Sequence, residues 1–170
     1  MRAGNTAELV DSMDRGEIDF ALVEGPYDHE AFDGAALSRE RLVAISAAGG
    51  PPASIEGLLG ERLILREPGS GTREILERHL AAHDRSIDDF AGTIELAGIP
   101  AIKACVAAGA GVSFIYRVAV EAELASGALA DVTPADFAIS HDFSLIWQQG
   151  SRYADRYRAL LRAWRAATLQ

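Results

Sequence analysis

The sequence predicts an α/β fold with parallel sheets and helices on both faces. Three observations carry this. Short apolar runs (Ile18 to Val23, Leu63 to Leu65, Val112 to Ile115) alternate with segments of helical periodicity. The runs are nearly continuous in apolar residues, as in strands covered on both faces. Glycine or proline punctuates the joints between segments. The chain has 170 residues, 49% apolar and 24% charged, enough for one domain or two small lobes with a real core.

In chain order, Asn5 is a good N-cap and Glu8 stands three residues on, the spacing of a capping box. Leu9, Val10 and Met13 follow as an apolar stripe, and Gly16 takes the place that ends a helix. Ile18 to Val23 then reads as a buried strand of a parallel sheet, ended by Gly25-Pro26. Ala35 to Ile45 reads as a strand or extended crossover, and Gly49-Gly50-Pro51-Pro52 is a hard break. Ser54 caps a short helix closed by Gly60. Leu63 to Leu65 is a strand, Glu67 to Gly71 a loop, and Thr72 to Ala82 a helix. The pattern continues with a strand at 93–97, a helix in which Pro100 is the N1 residue, and a strand at 112–115. A helix at 118–126 ends at Gly127, and strands follow at 129–132 and 143–147. The last helix carries Tyr153, Tyr157, Leu160 and Trp164 as a core stripe with solvated arginines between them.

Sixteen Lys+Arg against 25 Asp+Glu leave a net charge of −9, which disfavours non-specific contact with nucleic acid phosphates. One cysteine, Cys105, excludes an internal disulfide and a Cys-rich metal site, and fits a reducing, cytoplasmic home. No segment predicts a secretion signal or a membrane span.

The richest stretch for chemistry is Leu63 to Arg73, a strand, a Gly-rich turn and a helix start. Glycines let a ligand approach the backbone, and free N–H groups at a helix N-terminus favour an anion. Ser70 and Thr72 add hydroxyls. Arg73 adds a charge for the ligand or for a neighbouring carboxylate. A capped helix with no ligand explains the same residues equally well. Missing lysine and wrong spacing exclude a Walker A loop. Gly98-Ile99-Pro100 is a second strand-to-helix turn, and Glu24-Gly25-Pro26-Tyr27 a third. His79 and His83 are four apart on one helix but carry no zincin-type motif, so an exposed helix face explains them better than a metal site. No nucleophile elbow or catalytic pair is found, and Cys105 fits a small core residue.

Three segments together resemble the effector-binding domain of LysR-type transcriptional regulators: Gly4-Asn5-Thr6 to Gly25-Pro26, Arg66-Glu67-Pro68-Gly69-Ser70-Gly71-Thr72-Arg73, and Ala101-Ile102-Lys103 through Gly109-Ala110-Gly111-Val112-Ser113-Phe114 to Gly127. The resemblance implies a two-lobed fold like that of periplasmic binding proteins, joined by two crossover strands, with a small anionic effector such as a carboxylate in the cleft. By position, residues 1–38 and 150–170 form one lobe and 39–149 the other. The implied effector contacts are Ser70, Gly71 and Thr72, then Ile99 and Pro100, with Gly25 and Pro26 from the opposite lobe. Ile99-Pro100 and Tyr116 depart from the family's polar and small residues and imply a less polar or narrower pocket. The family's winged helix-turn-helix is absent, and the first strand and helix of the effector domain are expected to be missing, so DNA would be reached only through a missing N-terminal domain. A homo-oligomer is expected of the complete protein, with no cofactor, metal or catalysis. The competing readings are an oxyanion-binding protein of a transport system, and an enzyme on this fold such as a dehydratase of a small carboxylic acid.

Overall fold

The computed structural model describes residues 1–51 and 53–168. The chain divides into two compact units, one of residues 1–39 with 141–170 and one of residues 40–140. Two long strands carry the chain between them, β2 (Phe32–Ala47) and β7 (Ile139–Gln148). The second passage falls inside β7, nine residues before the Gly150 expected from sequence.

In the first unit, α1 (Thr6–Asp14) begins as its sequence dictates. The Asn5 side chain accepts from the Glu8 amide at 3.0 Å, and the Glu8 carboxylate accepts from the Asn5 amide at 3.1 Å. Gly16 continues the chain at φ 68°, a left-handed turn that glycine adopts without penalty. Strand β1 (Phe20–Val23) follows, and Met13, Ala21, Val23, Phe32 and Ile146 form a buried cluster. Helix α6 (Ala154–Thr168) closes a second cluster, in which Tyr157 and Leu161 pack on Leu145 and Trp147.

The second unit holds α2 (Ile55–Leu59), β3 (Arg62–Leu65), α3 (Gly71–Ala82), β4 (Gly92–Glu95), α4 (Ile99–Ala107), β5 (Ser113–Tyr116), α5 (Glu121–Ser126) and β6 (Leu129–Asp131). Its core is Val43, Ile45, Ile64, Ile102, Val106, Ile115, Val120 and Leu129, all nearly solvent-free. The predicted helix at 118–126 is a 3-10 turn at Arg117–Ala119 and then α5, which Gly127 ends at φ 75°.

The α/β class holds, but the parallel sheet does not hold for most strands. Among the described residues, only β3 and β4 run parallel, from Arg62↔Gly92 to Leu65↔Glu95, with one further parallel bridge between Leu63 and Val112. β1 pairs antiparallel with β7, and β2 pairs antiparallel with both β5 and β6. The reason lies in the partner. An apolar run does not encode the direction of its neighbour, and the neighbour of β1 is more than a hundred residues away in sequence. Nor is β1 covered on both faces, since Leu22 is 40% exposed between the buried Ala21 and Val23.

Candidate functional site

The loop from Arg66 to Ser70 leads from the end of β3 into α3. Gly69 sits at φ 87°, where a side chain is strained, and this turns the chain so that Ser70 becomes the N-cap. The Ser70 backbone does its capping work: its carbonyl accepts from the Glu74 amide at 3.0 Å. The side chain does not. Ser70 is 1% exposed, and its Oγ is buried with no hydrogen-bond partner. Gly71 and Thr72 are buried beside it in the first turn of α3. A hollow of about 200 Å³ borders the loop, lined by Pro68, Gly69, Ser70, Arg73, Glu74 and Glu77.

The two arginines of the loop are committed to carboxylates. Arg66 donates to both oxygens of Glu67 at 2.9 Å. Arg73 donates to Glu77 at 2.8 Å, to Glu95 at 2.7 Å and to the Arg66 carbonyl at 3.2 Å. Burial disfavours the Arg73 charge, but Glu77 and Glu95 outweigh it and hold the guanidinium above its ordinary pKa. Of the two partners open to Arg73 in the sequence, the structure supplies the carboxylates. One neutral donor at this helix end, the buried Ser70 hydroxyl, has no partner, and the N-terminal end of the helix dipole beside it is positive.

The other expected contacts stand as follows. Ile99 opens α4 and packs half-buried against the core of the second unit, while Pro100 is exposed in the first turn after the N-cap Gly98. Tyr116 ends β5 opposite Leu42 and is 1% exposed. In the first unit, Gly25 is buried and Pro26 half-buried in the turn after β1. Tyr27 beside them covers Gly34, where a Cβ would stand 2.3 Å from the Tyr27 hydroxyl oxygen. Burial, with Asp33 and Asp142 near, pushes the Tyr27 hydroxyl pKa up.

Sequence reasoning pointed to Ser70 but not to its unpartnered state, which needs coordinates. It also missed Glu95 as a partner of Arg73, because the two are 22 residues apart. The His79–His83 pair was visible in the sequence, but the cavity it borders with Asp136 and Phe137 was not.

The protein family described as LysR substrate binding domain matches residues 1–168. The regulator YeiE of Escherichia coli K12 is 31% identical over 136 residues, 78% of this chain and 45% of that protein. A protein of Anaeromyxobacter dehalogenans named phosphonates import ATP-binding protein PhnC is 30% identical over 166 residues, 95% of this chain and 33% of that protein. The chain thus spans a third to somewhat under half the length of these relatives. Among solved structures, the CcmR regulatory domain of Synechocystis PCC6803 in complex with 2-PG superposes with a TM-score of 0.81 at 24% identity, over 96% of this chain and 80% of that one. This likeness identifies the fold as that of LysR regulatory domains, which is the periplasmic-binding-protein type. No helix among the described residues is long and apolar enough to cross a membrane.

Proposed function

The chain belongs to the family of LysR substrate binding domains, and from that premise we propose that it senses a small anionic effector through the N-terminal end of α3. The observation that carries this is the Ser70 hydroxyl, buried without a partner at that helix end. A buried hydroxyl left unpaired costs about 1–3 kcal/mol. A ligand oxygen that accepts from it removes this cost. The amides of the first turn of α3 and the helix dipole favour the same negative group. Gly71 lets the ligand approach, Thr72 adds a second hydroxyl, and Ile99 and Pro100 form an apolar wall. Within the same unit, the bulk of Tyr116 limits the size of the effector.

The whole protein is then a DNA-binding transcription regulator of the cytoplasm, homo-oligomeric, whose regulatory part this chain is. Its role is binding rather than catalysis. A solute-binding role in transport is less well supported. The similar protein with a transport name is called an ATP-binding component, and this chain spans 33% of it.

Calorimetric titration with 2-PG, the ligand named for the CcmR domain, tests the assignment to Ser70. Ser70→Ala is expected to weaken binding by about 1.5–3 kcal/mol, the loss of a hydrogen bond to a charged group. The same change should leave the ligand-free melting temperature unchanged or higher, because it deletes an unpaired buried hydroxyl. Equal affinity in the variant would remove Ser70 from the site.

A further inference from the structure

We propose that His79 and His83 form a second ligand site, in the second unit, that takes a divalent transition-metal ion of the zinc or nickel kind. His79 lies in the last turn of α3 and His83, four residues on, is its C-cap; their ring centroids are 4.5 Å apart. His83 Nδ1 lies 2.8 Å from the His79 carbonyl oxygen. A carbonyl only accepts, so Nδ1 carries the proton and Nε2 carries the ring's lone pair. A backbone carbonyl holding one ring nitrogen while the other is free is the usual support of a metal-binding histidine. His79 is fixed by an edge contact to Phe137 at 4.4 Å. Partial burial and the neighbouring His83 keep its pKa below the ordinary histidine value.

The surroundings favour a cation. Both rings stand at the C-terminal end of α3, where the helix dipole is negative. Asp136 faces His79 and borders the same cavity of about 150 Å³, with Leu80, Phe137, Pro134 and Ile55 as its apolar walls. Arg85, exposed at the rim, is the one lining cation that opposes. Among the described residues no group of three His, Cys, Asp or Glu side chains is arranged around a metal position. The protein therefore supplies two nitrogens, and water completes the shell, a donor set that suits borderline divalent ions. This site is at the opposite end of α3 from Ser70, some 18 Å along the helix axis at about 1.5 Å per residue, so it stands or falls separately from the effector reading.

Titration of Zn²⁺ alone into the 170-residue chain at pH 7.5 tests the proposal. One saturable site is expected. His83→Ala, a change at an exposed residue, and His79→Gln should each weaken it at least about tenfold. His141→Ala and Cys105→Ser should leave it as it is. Zn²⁺ should raise the melting temperature of the parent chain but not of His83→Ala. Absence of a saturable site, or full affinity in His83→Ala, overturns the proposal.

Discussion

Gly111 and Ser70 mark the two kinds of constraint a single residue carries here. A Cβ at Gly111 would stand 2.1 Å from the carbonyl oxygen of Arg62, and its φ of 153° lies where side chains are strained. That close approach lets the Val112 amide reach the Arg62 carbonyl at 2.9 Å and the Ile64 amide reach the Val112 carbonyl at 2.8 Å, which ties β5 to β3. Gly111→Ala should therefore destabilise the chain by about 2 kcal/mol or more, since neither backbone can yield cheaply, as denaturant unfolding would show. Ser70 carries a chemical constraint instead. The sequence placed a hydroxyl at a strand-to-helix turn, but a hydroxyl spent on capping and one kept for a ligand look alike in sequence. The absence of a cap bond from its side chain shows that this hydroxyl is not spent on capping. Arg73 shows the same limit, because the carboxylate that competes for it comes from β4.

Among the elements, legibility follows the range of the interactions. The capping box of α1, the Ser54 cap of α2 and the glycine after α5 are local, and the sequence specifies each of them. Strand partners are not local. The apolar run at β1 reveals burial, but its antiparallel neighbour β7 is set by contacts across the whole chain. Asp131, at the end of the short β6, is held over a shorter range. Its carboxylate accepts from the Thr133 amide at 3.1 Å and from Arg117 at 2.9 Å. Burial raises the Asp131 pKa, but the Thr133 hydroxyl and amide, with Arg117 and Arg41, outweigh it and the net shift is downward. A carboxyl lowered on folding stabilises above its unfolded pKa of about 3.9 and loses that stabilisation as the pH falls through the folded value. Melting temperatures measured below pH 4 should thus fall less steeply in Asp131→Asn than in the parent chain.

For the whole molecule, charge and family lead to a division of labour. The net charge of −9 repels nucleic acid phosphates. Anisotropy with duplex DNA at low salt, where phosphate contacts are strongest, should show no saturable binding by this chain alone. The family was legible because three motif-bearing segments occur in one order along the chain, and the match over residues 1–168 confirms it. The effector was not legible, because the donors of the proposed site at α3 suit many anions equally well. The most direct test of the central claim is amide NMR of the ¹⁵N-labelled chain titrated with 2-PG. The largest shifts should fall on the amides of Ser70, Gly71, Thr72 and Arg73. Saturable binding that leaves these four amides unmoved would contradict an effector site at the N-terminal end of α3.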